Sequence, residues 1–283
     1  MKFLLIGDFH GKIHKKLNKI KNLDFDYILC TGDLSFDGGL RKYVFRYWKE
    51  LDKKPLEKII GKKEYHRICK KIEGSKLIPL KFLNSLGKKA YLVRGNFDLE
   101  PTSKNKKESN LIIKPLAEKV KKYKNIHLIN ARVIKIKDYD LIIHSGYRFP
   151  TEKGIEKSTF VKYTQEGIKR RNKQWNRRLK KLFSKVKNFD NTIFLAHDPP
   201  KNYLDKVKNK KSPLYGKHIG DEYYTKYIKK YKPSICVCGH MHENQGKDKI
   251  GKTLVVNPGP ALEGKFAILE LKDNKIISIK FYK

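Results

Sequence analysis

The chain has 283 residues, with 66 Lys or Arg against 29 Asp or Glu, a formal net charge of +37 and a pI near 9.9. Heat adaptation raises Lys and Glu together in ion-pair networks, so it does not explain a shortage of acids; polyanion binding and compositional bias are the accounts left. Four cysteines without a CxxC pair favour packing roles over a disulfide or a cysteine zinc site, and they suit a reduced, cytoplasmic setting.

Residues 2–7 are a short apolar run read as a first strand, too short for a signal-peptide core or a membrane span. Asp8-Phe9-His10-Gly11 follows it directly. A second run, 26–31, leads into Gly32-Asp33. From 39 to 88 the pattern turns helical, with Tyr43, Val44, Trp48 and Leu51, then Tyr65, Ile68, Cys69 and Ile72. This helical insertion is either a cap over a crevice, where substrate would be selected, or an outer layer on a sheet. Tyr43, Phe45, Tyr47 and Trp48 cannot all occupy one helix face.

A third run, 90–94, leads into Gly95-Asn96-Phe97-Asp98. The basic stretch 101–110, with Lys104, Lys106 and Lys107, reads as a rim loop able to meet an anionic substrate. The run 140–144 reads as a strand ending in His144, a residue better suited to a structural role than to a ligand, and 147–160 reads as a further loop. A second helical insertion is expected at about 160–190. Within it Ile168, Trp175, Leu179, Leu182, Phe183 and Val186 recur at helical spacing as a core-facing stripe. The opposite side carries Lys169, Arg170, Arg171, Lys173, Arg177, Arg178, Lys180, Lys181 and Lys185, either a solvated face or a phosphate-tracking surface for nucleic acid.

The runs 191–196 and 234–238 lead into His197-Asp198-Pro199-Pro200 and Gly239-His240-Met241-His242. Thr253–Asn257, 265–271 and 275–282 read as strands, the last two joined at Asp273-Asn274 as a hairpin closing a second sheet. Cys30, Cys236 and Cys238 fall in strands and Cys69 on a helix, in packing roles.

Five apolar runs therefore each end in Asp, Asn or His beside a glycine or just after the run. In α/β sheets ligands bind outside the carboxyl ends of the strands, so these tips converge. Gly7, Gly11, Gly32, Gly95 and Gly239 fit points where the chain turns sharply and passes close to a ligand. The candidates Asp8, His10, Asp33, Asn96, His197, His240 and His242 offer hard oxygen and borderline nitrogen donors, which suit Mn, Ni, Fe, Co or Zn better than an all-oxygen Mg or Ca cage. Seven candidates exceed the needs of one ion with an open position; two ions about 3.5–4 Å apart, sharing a carboxylate, use them all.

In this order, D-x-H, G-D, G-N-x-D, a lone His and G-H-x-H, the chain resembles the calcineurin-like metallophosphoesterases. The resemblance implies an α/β four-layer sandwich of two mixed β-sheets flanked by helices, here as one domain over 1–283. It implies a first ion on Asp8, His10 and His242, a second on Asn96, His197 and His240, and Asp33 bridging both. Two divalent transition-metal ions are expected, Mn, Ni, Fe or Zn, with Mn favoured. The segments around His197, Lys217-His218-Ile219-Gly220, Cys238–Gly246 and Val255–Pro260 are similar to a branch of predicted archaeal and bacterial phosphoesterases related to cyclic-nucleotide phosphodiesterases.

The chain departs from the family at Phe97, where a His usually follows the metal-binding Asn. A phenyl ring donates no proton, and general acid catalysis contributes about 10²–10⁴-fold. His218 is either a substitute for that group, touching phosphate, or an ordinary loop histidine. The expected activity is phosphodiester hydrolysis by in-line attack of a metal-bridging hydroxide, with Asp33, Asn96 and His218 as catalytic candidates and a nucleotide-type phosphate ester as substrate. The open alternatives are a nuclease acting on DNA or RNA, favoured by the charge, and a non-catalytic, metal-stabilised nucleic-acid-binding protein. No membrane partner is expected, and oligomeric state is left open.

Overall fold

The computed structural model describes residues 1–36, 39–98, 116–146, 165–273 and 275–283. The rim loops expected at 101–110 and 147–160, and Asn274 of the C-terminal turn, lie outside these residues. Among the described residues twelve strands form two six-stranded sheets.

In the first sheet β1 (Lys2–Ile6), β2 (Tyr27–Cys30), β3 (Lys89–Leu92) and β4 (Ile126–Leu128) run parallel. Two antiparallel strands, β11 (Phe266–Lys272) and β12 (Lys275–Tyr282), extend this sheet beside β1. In the second sheet β6 (Tyr139–His144), β7 (Thr192–Ala196), β8 (Ile235–Val237) and β10 (Thr253–Asn257) run parallel, with antiparallel β5 (Ala131–Ile136) and β9 (Gly246–Ile250) at the edges. Both sheets are mixed.

The C-terminal hairpin corrects the expectation that it closes the second sheet. Its register places Leu269 against Phe3 and Ala267 against Leu5, so it completes the sheet that begins the chain. Alternation explains why: Ala267, Leu269 and Leu271 face the inter-sheet core, where Phe3, Leu5 and Leu29 meet Leu141, Ile143, Ile193 and Leu195 of the other sheet. Because both faces of the central strands are covered, β1 reads as an unbroken apolar run. Its other face, Leu4 and Ile6, packs with Ile28, Cys30 and Leu92 against Leu80 and Leu83 of α4 (Leu77–Ser85) and Leu116 and Val120 of α5 (Leu116–Val120).

The outer face of the second sheet packs on α6 (Gln165–Phe183) and α7 (Glu222–Tyr231) through Trp175, Leu179, Leu182, Phe183, Tyr224 and Ile228, completing four layers. Trp175, Leu179, Leu182, Phe183 and Val186 are buried as the helical stripe predicts, and Ile168 is half-buried. All four cysteines are buried and free, Cys236 and Cys238 on this same face. Among the described residues no helix is long and apolar enough to cross a membrane.

The segment between β2 and β3 divides in two. α4 belongs to the outer layer. α1 (Leu40–Arg46), α2 (Leu56–Ile60) and α3 (Lys62–Ser75) instead build a separate cluster, in which Leu51, Leu56, Ile68 and Ile72 close on Phe97. The end of α3 is fastened to the sheet edge, where Ser75 Oγ accepts the Phe36 N–H at 2.8 Å. The outer-layer reading thus holds for α4, while α1–α3 pack on Phe97 beside the Asn96 loop.

Candidate metal centre

Each parallel strand presents its carboxyl end at the same edge of its sheet, and the candidate ligands follow within a few residues: Asp8 and His10 after β1, Asp33 after β2, Asn96 after β3, His197 after β7, His240 and His242 after β8. Left-handed backbone at non-glycine residues is costly and clusters at functional sites. Nine described non-glycine residues have positive φ, and Asp8, His10, Asp33 and His240 are four of them, at 54°, 47°, 50° and 68°. The strain turns these side chains back over the strand tips.

Two groups form there. Asp8, His10 and His242 bring ligand atoms within 4.8 Å of one another, as do Asp33, His197 and His240. In the first group His10 Nε2 and His242 Nε2 stand 3.0 Å apart, and His242 Nε2 is 3.6 Å from Asp8 Oδ1. In the second, Asn96 Oδ1 lies 3.1 Å from His197 Nε2 and 3.0 Å from His240 Nδ1. Asp33 Oδ2 falls between the groups, 3.8 Å from His10 Nε2 and 3.6 Å from His197 Nε2.

The surroundings fix which atoms point inward. His197 Nδ1–H donates to the Thr31 carbonyl at 2.7 Å, which leaves Nε2 with its lone pair toward Asn96 and Asp33. The Phe97 N–H donates to Asp33 Oδ1 at 2.8 Å, leaving Oδ2 to face the histidines. The His240 N–H reaches Asp8 Oδ2 at 3.1 Å. Gly95 is required by crowding: a Cβ there would lie 2.1 Å from Asp33 Oδ1 and 2.6 Å from His197 Cε1. Gly239 is pressed in the same way, its Cβ falling 2.6 Å from Asp8 Oδ2.

Electrostatics favours cations in this space. Burial, together with the charges of Asp98 and Asp8, pushes the Asp33 carboxyl well above the usual carboxylate range. Burial acts the same way on Asp8, but its hydrogen bond to His242 and the fields of His242, His197 and His10 outweigh it and hold Asp8 at about 2. Crowded buried carboxylates faced by imidazole nitrogens, with two convergent donor groups, are what divalent transition ions fit.

A family model described as metallophosphoesterase, calcineurin superfamily, matches residues 1–281. The chain belongs to this superfamily. An uncharacterized protein of Methanocaldococcus jannaschii is 24% identical to this metallophosphoesterase over 279 residues, covering 98% of this chain and 95% of its own. A solved crystal structure at 23% identity superposes with a TM-score of 0.66, covering 100% of this chain and 98% of its own. A structure from Thermus thermophilus, 16% identical, has a TM-score of 0.53 over 99% of this chain and 97% of its own. Members of the superfamily hydrolyse phosphate esters with paired divalent ions, and this metallophosphoesterase carries two candidate ion sites.

All seven candidates read from the sequence meet at this edge, six of them in the two groups and Asn96 beside the second. His218 is not in either group. Its Nδ1–H donates at 2.5 Å to Asp205 Oδ1, a carboxylate that is buried while the His218 side chain is 41% exposed. His144 likewise stays apart: it bonds Tyr224 Oη at 2.8 Å, and its ring is 4.3 Å from that of Trp175.

Sequence reasoning gave no role to several residues that hold the site. Asp98 Oδ1 accepts from Leu34 N, Ser35 N and Ser35 Oγ, and Oδ2 from Gly95 N, so this carboxylate ties the Asp33 loop to the Asn96 loop. Asn257 Nδ2 donates to the Met241 carbonyl at 2.9 Å and steadies the segment between His240 and His242. Asp205 Oδ2 accepts from Asn202 N and Gly220 N, each at 2.9 Å. The signals were an Asp two residues after Asn96 and an Asn-Pro-Gly turn after β10.

Proposed function

We propose that this metallophosphoesterase is a two-metal phosphodiesterase acting on a nucleotide-type phosphodiester. Asp8, His10 and His242 would hold one ion, Asn96, His197 and His240 the other, with Asp33 shared; Mn, Ni, Fe or Zn suits this donor set. Bound there, the ions would supply Lewis-acid stabilisation of the phosphoryl oxygens and lower the pKa of the attacking water.

The protein's own groups do the positioning. The Phe97 N–H and Thr31 carbonyl orient Asp33 and His197, and the left-handed turns at Asp8 and His240 bring donors from both sheets to one place. Since those donors run from residue 8 to residue 242, no cut leaves a whole site on one side, which supports reading 1–283 as one domain.

The observation that carries the preference for diesters is Phe97. Its ring is buried against the α1–α3 cluster and lies edge-on to His10, with centroids 5.4 Å apart, so position 97 offers no proton for a leaving group. Esters whose leaving group departs unprotonated should react well, and alkyl monoesters poorly. Where a leaving group does need a proton, His218, held on Asp205 with its side chain 41% exposed, is the residue we assign to supply it or to contact the ester.

The test is hydrolysis of matched aryl diester and monoester by metal-stripped protein reconstituted with Mn, Ni, Fe or Zn, with Asn96→Ala alongside. Metal-dependent diester turnover that disappears in the variant is expected. Binding of two ions without turnover of any ester would leave a metal-stabilised binding protein instead.

A further inference from the structure

Lysine dominates the cationic residues of this chain: only ten of the 66 are arginine. Four of those ten, Arg170, Arg171, Arg177 and Arg178, fall within nine consecutive residues of α6, and no arginine follows Arg178 to the C-terminus. A compositional drift toward Lys does not by itself favour that cluster. Arginine differs from lysine in its planar fork of donors, which matches phosphate oxygens bidentately and is less strongly hydrated.

The four are paired along the helix. Arg170 and Arg177, and Arg171 and Arg178, are each seven residues apart, two turns or about 10.5 Å along the axis. Arg170, Arg177 and Arg178 are exposed, with exposed Lys173 and Lys181 on the same side. Among the described residues these three arginines make no ion pair, and the helix carries a single acid, Glu166, in its first turn. Ion pairing among the described residues therefore does not account for them.

Their place in the fold relates them to the metal centre. Trp175 packs on His144 at the tip of β6, while Phe183 packs on Phe194, whose register partner is Ile142. The helix therefore runs back along the sheet, and the turn bearing Arg170 and Arg171 lies about 6–8 Å beyond the strand tips. That is the edge at which His197 follows β7. A basic, phosphate-matching ridge thus leads from the outer layer of the second sheet toward a site for phosphate esters.

We infer that the exposed face of α6 binds the phosphate backbone of a nucleic acid strand and delivers it toward the metal edge. As a statement about substrate this rests on the hydrolytic reading; as a statement about binding it does not. Charge complementarity names the occupant, since a polyphosphodiester presents to this ridge the same group that the centre would cleave.

The experiment is fluorescence anisotropy of labelled DNA and RNA oligonucleotides with metal-stripped protein in EDTA, from about 50 to 300 mM NaCl, the range over which phosphate contacts weaken most visibly. The quadruple variant Arg170→Ala, Arg171→Ala, Arg177→Ala, Arg178→Ala is compared with a charge-matched control, Lys81→Ala, Lys88→Ala, Lys272→Ala, Lys275→Ala, at exposed positions of the first-sheet side. Binding at least tenfold weaker in the arginine variant, a log–log salt slope smaller by about 3, and a control within twofold of wild type are expected. Should the quadruple variant be unstable by circular dichroism, Arg170→Ala, Arg177→Ala, both exposed, is expected to show about half the change in slope. Equal losses in variant and control would reduce the effect to diffuse charge and overturn the inference. So would absence of oligonucleotide binding, including the case where anionic vesicles bind instead. Metal-loaded protein that binds the oligonucleotide, cleaves small diesters and leaves the strand intact would refute the substrate claim alone; failure on every ester would refute the hydrolytic reading and spare the surface.

Discussion

Phe97 serves the metal edge through its backbone and the α1–α3 cluster through its side chain: its N–H donates to Asp33 Oδ1 at 2.8 Å while its ring joins Leu51, Leu56, Ile68 and Ile72. The two functions separate by substitution, because the hydrogen bond survives any side chain other than proline's.

Phe97→Ala should therefore keep its metal stoichiometry while loosening the α1–α3 cluster. Removing a buried phenyl ring costs roughly 3 kcal/mol, the low end for such changes, and should lower Tm by roughly 6–12 °C. Calorimetry with metal analysis checks this; loss of an ion would show that the ring, and not the backbone, orients Asp33. Phe97→His should raise turnover of alkyl esters relative to aryl esters, and an unchanged ratio would remove the argument from leaving groups.

Asn96→Ala removes the oxygen that stands 3.1 Å from His197 Nε2 and 3.0 Å from His240 Nδ1, leaving Asp8, His10 and His242 untouched. Metal content measured by mass spectrometry should fall from two ions per chain to one. Gly95→Ala should be harsher, since its Cβ would press on both Asp33 and His197 and disturb the shared carboxylate. Binding of both ions should weaken at least tenfold with the circular dichroism spectrum retained.

The Asp205–His218 pair predicts a dependence on leaving group. His218→Gln should lower turnover of alkyl diesters by about 10²-fold while changing aryl diesters little, at unaltered metal content. Asp205→Ala should do the same and also destabilise the loop, because it strands the buried N–H of Gly220, at about 1–3 kcal/mol, and releases the Asn202 N–H to solvent. Equal losses on both ester types would mark His218 as a loop residue.

His144 predicts a pH dependence of stability. Burial, aided by the nearby charge of Arg178, lowers its pKa from 6.5 to about 3. Between those values the unfolded chain binds a proton that the folded chain refuses, so stability falls as pH drops from 6.5 toward 3. The slope from this group approaches about 1.4 kcal/mol per pH unit. Urea midpoints of metal-free wild type and His144→Gln between about pH 4 and 7 should differ by a slope of that size. Parallel curves would mean that His144 takes up its proton as readily in the folded chain as in the unfolded one.

The ligands were legible in the sequence because each is local: an apolar run makes a strand, a glycine or a strand end makes a turn, and a polar donor follows at once. Strands β1, β2, β3, β7, β8 and β10 lie where their apolar residues place them. Strands β4, β5 and β9 were not read, since β4 has three residues and β5 and β9 carry exposed edge positions that blur the alternation. Local pattern could not say that Asp33 faces the histidines while Asp98 is consumed by four hydrogen bonds, as both are aspartates beside glycine or asparagine turns. Nor could it assign the last hairpin to β1, or part the 39–88 segment into an outer-layer helix and a cluster closing on Phe97. Turn and strand preferences are set by near neighbours along the chain, so the sequence alone determined which residues could bind metal. Pairing and facing are set by which apolar surfaces exclude water together across hundreds of residues, and only the tertiary structure decided those.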